Sequence, residues 1–203
     1  MKSPMKSPMK RITLLRGLLL IVGVSCLALY SYAFLERIGS QVSAAWTFDR
    51  SLEHLSPVDL KATHDGLLSG DSIVGRIWIP KLRLSAMVRE GDDDKTLRRA
   101  VGHIPATPFP GQPGNVGVAA HRDTFFRRLG DLQTGDSIAF STLDGDFTYE
   151  VESTRVVAPE DVEVLAPSND KVLTMVTCYP FFYIGNAPKR FIVRAKQISG
   201  RLN

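Results

Sequence analysis

The feature that most constrains this chain is an uncharged apolar segment near its N-terminus. Residues 17–34, GLLLIVGVSCLALYSYAF, contain no charged side chain. A helix needs about 20 apolar residues to cross a bilayer, whereas the apolar part of a cleavable signal peptide has roughly 7–15. The segment is longer than the apolar part of a signal peptide, so we predict an uncleaved transmembrane signal-anchor at residues 17–35. A cleaved signal peptide is the alternative.

Charge on the two sides of this segment predicts its orientation. Five basic residues and no acid precede it: Lys2, Lys6, Lys10, Arg11 and Arg16. Positive residues beside a membrane span stay in the cytoplasm, so we expect residues 1–16 to form a cytoplasmic tail and the rest to lie outside. Removing these five from the 25 Lys and Arg leaves 20, against 21 Asp and Glu. The outer part therefore lacks the positive excess of a nucleic-acid-binding domain.

The chain beyond the apolar segment divides into a connecting region and a folded domain. Ile38 and Val42 continue an apolar spacing of three to four residues, which favours a helix. Pro57 then interrupts a polar stretch that also contains glycines. We predict a juxtamembrane helix and tether over residues 36–70 and a catalytic domain over residues 71–203.

The folded domain has the sequence pattern of a mainly β protein. SIVGRIWIP and LRLSAMVREG alternate apolar residues, and Asp144-Gly145 indicates a hairpin turn between two alternating arms. DDDKTLRRAV is typical of a short helix with acidic residues at its N-terminal end. We predict seven to eight strands in a closed or nearly closed β-barrel with short helices, because closure removes exposed strand edges.

One cysteine of this domain requires an explanation. Cys178 ends the strand KVLTMVTCYP, and Cys26, the other cysteine of the chain, lies within the apolar segment. An unpaired cysteine in an exported domain is an intermolecular link, a buried inert thiol or a reactive one. A structural zinc site usually needs four Cys or His ligands, and no CxxC or HExxH spacing is present. The residues alone leave the inert and the reactive alternatives open.

A cysteine nucleophile needs a proton-transfer partner and a group that stabilises an oxyanion. His121 ends the strand NVGVAAH and is preferred as the partner to His103, which lies in a loop rich in proline and glycine. Arg190 opens the strand that follows Cys178 and stays charged at any relevant pH. Lys189 is adjacent but is expected to face the other side of that strand. We therefore predict Cys178, His121 and Arg190 as the catalytic residues.

Three ordered segments resemble a known family. TMVTC, residues 174–178, resembles the TLxTC signature of sortases, the membrane-anchored cysteine transpeptidases, with Met175 in place of Leu. GNVGVAAHRD and NAPKRFIVRA resemble the segments that carry the family's catalytic histidine and arginine. The resemblance covers about residues 71–198, is greatest to class D with class E next, and implies a sortase-like barrel.

The resemblance implies a reaction and its partners. Cys178 would attack the Thr–Gly bond of a Leu-Pro-x-Thr-Gly-like sorting signal on a secreted protein, which gives a thioacyl-enzyme. Arg190 would stabilise the oxyanion, and His121 would transfer protons. An amine acceptor, such as a peptidoglycan cross-bridge or a pilin lysine, would complete the transfer at the lipid bilayer.

Further residues are predicted around this site. Ala120 and Thr177 flank the catalytic residues and are predicted to bind substrate, with ordinary strand packing as the alternative. His103 is a third substrate-binding candidate, with loop structure as the alternative. The segment 158–170 is expected to close over the signal. No cofactor is expected; calcium bound by the acids of that segment is the alternative, although solvated acids are commoner. Those acids are Glu160, Asp161 and Glu163.

Two other classes of protein compete with this hypothesis. A cell-wall L,D-transpeptidase would carry a Ser-His-Gly-Cys type of motif, which is absent from the sequence. A non-enzymatic, membrane-anchored β-domain that acts as a binding module would contain Cys178 as a buried, inert residue. The reactivity of the thiol separates the second class from an enzyme.

Overall fold

The computed structural model describes residues 8–54 and 72–202. The chain divides into two compact units, Met1–Gly39 and Ser40–Asn203. Part of the predicted cytoplasmic tail and most of the predicted tether lie outside the described residues.

The described residues of the first unit, 8–39, are helical. Helix α1 begins at Pro8 and ends at His54, and therefore extends through the predicted membrane segment into the second unit. Within the segment, apolar side chains such as Leu19 (62% exposed) and Leu27 (67% exposed) have no protein cover. By length and composition this helix is able to cross a membrane. An apolar surface without protein contacts fits a membrane anchor.

From residue 72 to residue 202 the second unit contains eight strands and a short helix, which confirms the mainly β prediction. In chain order they are β1 Ile73–Ile79, β2 Leu84–Glu90, α2 Asp94–Arg99, β3 Val101–His103, β4 Gly114–Ala119, β5 Ser137–Ser141, β6 Gly145–Val157, β7 Lys171–Tyr179 and β8 Lys189–Leu202. Three 3-10 turns, Pro80–Leu82, Leu129–Asp131 and Val162–Leu165, lie in the connections. The predicted hairpin at Asp144-Gly145 joins β5 to β6 in antiparallel pairing.

The strands close into a barrel in the order β1-β2-β3-β4-β7-β8-β6-β5, with β5 paired to β1. Two pairs are parallel, β2 with β3 and β4 with β7, and the other pairs are antiparallel. Every strand therefore has two neighbours, and the prediction of a closed barrel is confirmed. The chain crosses from β4 to β7 over a long connection, so these two central strands come from segments distant in sequence.

Alternation along the strands separates an inner face from an outer face. On β4 and β7 the side chains of Val116, Val118, Leu173 and Met175 belong to the buried core. The alternate residues of the two strands, such as Gly117 on β4 and Val176 on β7, therefore belong to the outer face, because successive side chains point to opposite sides of a sheet. This division decides which residues near Cys178 are able to contact a ligand.

The C-terminal part of α1 packs against the barrel within the second unit. The Gln41 side chain donates to the Arg99 carbonyl (2.7 Å) and accepts from the Met87 backbone N–H (2.8 Å). Ala44 and Phe48 pack with Met87 in a small apolar cluster, each 2% exposed. Within the second unit, the described part of α1 after Ser40 is therefore held against the barrel by hydrogen bonds and apolar packing.

Candidate active site

Two of the three candidate residues are direct strand partners, and the third lies just beyond the end of a neighbouring strand. Cys178 on β7 is the direct partner of Arg190 on β8. The parallel register of β4 and β7 ends with the pair Ala119 and Val176, so His121 lies two residues beyond the end of β4. Residues two apart along a strand share a face, so extrapolation of this register puts His121 on the side of Cys178 opposite Arg190. We call His121, Cys178 and Arg190 the candidate row.

Each member of this row is partly exposed. Cys178 is a free thiol of intermediate exposure, and His121 and Arg190 are also partly exposed. A fully buried position would have favoured the inert alternative, because inert structural cysteines are enclosed by apolar neighbours. The observed position allows a substrate to reach the sulfur.

The His121 backbone is held while its ring stays available. The His121 carbonyl accepts from Thr124 N–H (3.3 Å) and Phe126 N–H (3.2 Å), which forms the turn after β4. Within residues 8–54 and 72–202, no group hydrogen-bonds to the His121 imidazole. Both ring nitrogens are therefore free to exchange protons with a ligand.

Arg190 uses one of its nitrogens for the loop before β8. Its Nη1 donates to the carbonyls of Ala187 (3.2 Å) and Lys189 (3.0 Å). The Nε and Nη2 groups have no protein partner in the described part of the chain. These two groups remain as unused donors on the residue that pairs with Cys178.

Ala120 and Thr177 lie in the interior rather than on the outer face. They are 4% and 3% exposed, and the Thr177 hydroxyl donates to the Ala120 carbonyl at 2.7 Å. Their hydrogen bond joins the end of β4 to β7 behind the candidate row. This arrangement favours ordinary strand packing, which was the alternative to substrate binding. The outer-face residues beside the row are Ala119 and Val176. The two-residue alternation of a strand is the signal that would have identified them from sequence.

His103 is also enclosed, at 1% exposed. Its Nδ1 lies 2.6 Å from the Glu90 carboxylate, and its Nε2 lies 3.0 Å from the Pro108 carbonyl and 3.1 Å from the Thr107 hydroxyl. The ring stacks on Phe109 at 4.8 Å. His103 ends strand β3 rather than lying in the loop as predicted, and its ring binds that loop from the strand. This geometry favours a structural role, because every ring nitrogen has a partner and the ring is enclosed.

The outer face of β4 runs beneath the loop that joins β6 to β7. A side chain at Gly117 would place its Cβ 3.0 Å from Leu165 Cδ2 and 3.1 Å from Thr107 Cγ2. Leu165 belongs to the 3-10 turn within residues 158–170, the segment expected to close over a signal. Gly117 therefore allows this loop to approach the strand closely, beside the face that carries the candidate row.

A buried amide holds the same loop. The Asn115 Nδ2 donates to the carbonyls of Val164 (3.0 Å) and Ala166 (3.2 Å), and its Oδ1 accepts from the Thr174 hydroxyl (2.6 Å). We call this group the Asn115 clamp. Asn115 and Thr174 are each 1% exposed. A polar residue inside an otherwise apolar strand is the sequence signal for such a contact, and our sequence predictions did not include Asn115.

The acids of the β6–β7 loop do not form a metal cluster. Glu160, Asp161 and Glu163 are exposed, and Asp161 accepts from the Ala158 N–H at 2.9 Å. Among the described residues, no group of three or more His, Cys, Asp or Glu is arranged to hold a metal ion. The calcium alternative therefore gains no support from this loop.

Similarity to known proteins agrees with this geometry. The family model for the sortase domain matches residues 77–198. Sortase D of Bacillus subtilis (strain 168) is 38% identical over 126 residues, which cover 62% of this chain and 64% of that protein. Sortase SrtE1 of Streptomyces coelicolor is 33% identical over 144 residues, which cover 62% of this chain and 40% of that protein. The chain thus spans less than two thirds of the length of these two relatives.

A solved structure gives the same result. The structure of a Clostridium perfringens sortase D5 transpeptidase superimposes with a TM-score of 0.71 at 31% identity and covers 79% of this chain and 99% of that chain. The chain belongs to the sortase family.

Proposed function

We propose that this chain is a cysteine transpeptidase that cleaves a Leu-Pro-x-Thr-Gly-like sorting signal and joins the released carbonyl to an amine. The observation that carries the proposal is the direct pairing of Cys178 with Arg190, with His121 two residues beyond the end of β4. Membership of the sortase family supports the same activity. A thiol between a proton-transfer group and a cationic donor is the arrangement that acyl transfer requires.

The first half of the reaction forms a thioester. The Cys178 thiolate attacks the threonine carbonyl carbon, and the free Nε and Nη2 groups of Arg190 donate to the resulting oxyanion. The carbon–nitrogen bond of the Thr–Gly peptide then breaks. His121 gives a proton to the departing glycine amine, so the products are a thioacyl-enzyme and a free peptide.

The second half returns the enzyme to its starting state. An acceptor amine attacks the thioester carbon and gives a proton to His121, and the carbon–sulfur bond breaks to restore the Cys178 thiolate. The acceptor is a peptidoglycan cross-bridge amine or a pilin lysine. Attack by water in place of the amine gives hydrolysis at the same site.

The apolar part of the signal binds along β4 and β7. Ala119 and Val176 lie two residues before His121 and Cys178 and supply small apolar side chains on the outer face. Leu165 of the β6–β7 loop lies farther along the same face. We propose that the Leu-Pro portion of the signal occupies this apolar surface, because it places the following Thr–Gly bond beside Cys178.

The location of the enzyme follows from its N-terminal charges. A single membrane anchor with residues 1–16 in the cytoplasm places the barrel outside, where secreted proteins with sorting signals are present. We assign the chain to class D, with class E next. The 38% identity to Sortase D, against 33% to Sortase SrtE1, supports this order.

The proposal is tested with the full chain in detergent micelles. The protein is incubated with a panel of Leu-Pro-x-Thr-Gly-like peptides and hydroxylamine, and hydroxamate product is measured by mass spectrometry. We expect product from the wild type and none from Cys178→Ala, with large losses in His121→Ala and Arg190→Ala. Product that survives in Cys178→Ala would overturn the mechanism.

A further inference from the structure

The loop between β7 and β8, residues 180–188, is attached to the end of β4 by one arginine. The Arg122 Nη2 donates to the carbonyls of Tyr183 and Gly185, each at 2.8 Å. Its guanidinium also lies 5.9 Å from the centre of the Tyr183 ring. We call this set of contacts the Arg122 clamp. Arg122 directly follows His121, so the clamp begins beside one candidate catalytic residue.

The loop joins the other two candidate catalytic residues. Cys178 lies two residues before it and Arg190 two residues after it. Within residues 72–202, Arg122 is the only side chain from outside the loop and its flanking strands that donates a hydrogen bond to the loop. The Arg190 Nη1 donates to the Ala187 carbonyl of this loop, so displacement of the loop would move the Arg190 guanidinium relative to Cys178.

Packing holds the base of the loop but leaves its tip without support. Phe181 contacts Tyr179 and Phe191, with ring centroids 5.7 and 5.4 Å apart. Phe182 and Ile184 are 90% and 97% exposed, so their side chains add almost no packing. The conformation of the tip therefore depends on the two carbonyls that Arg122 binds.

Stability alone does not explain why the guanidinium is placed there. The Arg122 Nη1 is enclosed, yet has no hydrogen-bond partner among the described residues. An enclosed donor without a partner disfavours the folded state. Departures of this kind are concentrated where a residue serves function rather than stability.

We propose that Arg122 is a positioning residue that holds the β7–β8 loop so that Arg190 stays aligned with Cys178. The inference rests on the proposed transpeptidase function, since alignment matters only if these residues react with a substrate. A misplacement of about 1 Å in a catalytic group is able to reduce a rate roughly 100-fold. The loss of Arg122 is therefore expected to reduce turnover more than substrate binding.

The test compares Arg122→Ala and Arg122→Lys with Arg127→Ala as the matched control. Arg127 is an exposed arginine five residues farther along the same segment. All variants are made in the full chain with Cys26→Ser, which leaves Cys178 as the only thiol. The measurements are kcat and KM for hydroxamate formation, the pH profile of Cys178 alkylation by iodoacetamide, thermal unfolding, and hydrogen exchange of residues 180–188.

We expect Arg122→Ala to lose roughly 100-fold in kcat, with KM changed less than about threefold, and to exchange faster in the loop. Its alkylation profile is expected to differ from that of the wild type, because Arg190 is displaced from Cys178. Lysine keeps the charge and is able to reach one carbonyl, so Arg122→Lys is expected to recover part of the loss. Arg127→Ala is expected to match the wild type.

Two results would overturn the inference. One is wild-type kcat in Arg122→Ala, and the other is a kcat loss without faster exchange in the loop, which would indicate direct contact with the substrate. If the wild type forms no product with any peptide, the proposed function fails instead. Hydrogen exchange and alkylation still decide in that case whether Arg122 holds the loop.

Discussion

The β6–β7 loop and the β7–β8 loop are each held by one side chain, a neutral amide in the first and a charged guanidinium in the second. In each case a side chain from β4 or its extension donates to two loop carbonyls. Asn115 holds the β6–β7 loop with a neutral amide that is 1% exposed. Arg122 holds the β7–β8 loop with a charged group that is partly exposed.

The difference in exposure between Asn115 and Arg122 predicts different roles for the two side chains. Water does not reach the Asn115 amide, so loss of that side chain would leave enclosed polar groups without partners, which is expensive in free energy. The carbonyls that Arg122 binds belong to an exposed loop, where water is able to replace the lost donor. We therefore expect the Asn115 clamp to contribute mainly to folding and the Arg122 clamp mainly to the geometry of the site.

The largest expected effect is that of Asn115→Ala. Loss of the amide leaves the Thr174 hydroxyl and two carbonyls without their partner, and we expect a loss of about 3 kcal/mol in the free energy of unfolding. Urea unfolding of the full chain in micelles, followed by tryptophan fluorescence, measures it. Arg122→Ala serves as the comparison and is expected to lose less than about 1 kcal/mol. Equal losses would contradict the distinction between the two clamps.

Thr174→Val is a smaller change to the same clamp. Valine is close in shape but lacks the hydroxyl, so the Asn115 Oδ1 loses its donor in an enclosed position. We expect the free energy of unfolding to fall by about 1–2 kcal/mol, less than for Asn115→Ala. The same unfolding experiment tests this order. A loss equal to that of Asn115→Ala would show that the hydroxyl alone maintains the amide orientation.

The exposed tip of the β7–β8 loop gives a smaller effect still. Phe182→Ser and Ile184→Ser remove side chains that are almost fully exposed. We expect each to change the free energy of unfolding by less than about 0.5 kcal/mol. Thermal unfolding of the two variants beside the wild type measures this. A clear destabilisation would mean that the tip packs against another part of the chain.

The smallest effect concerns Asp93, the exposed N-cap residue of helix α2. The Asp93 carboxylate accepts from the Thr96 hydroxyl and from the N–H groups of Thr96 and Lys95. These hydrogen bonds, led by that of the Thr96 side chain, lower the pKa of the Asp93 carboxyl below its ordinary value of 3.8. The stabilisation is therefore present above the unfolded-state pKa and is lost as the pH falls through the lower, folded-state pKa.

Asp93→Asn tests this because asparagine is also a good N-cap but does not titrate. We expect the wild type to unfold at a slightly higher temperature than the variant at pH 7, and the difference to shrink below about pH 4. Thermal unfolding of both proteins from pH 7 to pH 2 measures the difference. A gap that is independent of pH would exclude the carboxylate charge as its cause.

Much of the fold is local and was predictable from sequence. Alternating apolar residues indicate the strands, Asp144-Gly145 indicates the hairpin, and the acids before Lys95 indicate the start of helix α2. Each of these features depends on residues within a few positions of one another. Cys178, His121 and Arg190 were selected because the sequence pattern puts each near a strand end or a strand start and each belongs to a segment that resembles the family; their catalytic roles stay predictions.

The contacts that hold the loops were not predictable in the same way. Asn115 meets Thr174 across 59 positions, and Arg122 meets Tyr183 across 61. Both contacts exist because β4 pairs in parallel with β7, a pairing that nothing local to either strand specifies. Ala120 and Thr177 illustrate the same limit, since their proximity in sequence to candidate residues did not indicate which face of the sheet they occupy.

The sequence by itself therefore determined an apolar anchor segment, a β-rich domain and three chemically suited residues. Local backbone preference and side-chain alternation are sufficient for those features. Tertiary structure decided which residues share the outer face, which loops are held, and that Gln41, Ala44 and Phe48 of helix α1 contact the barrel. Closure of the barrel sets these contacts, because it fixes the register between strands that are distant along the chain.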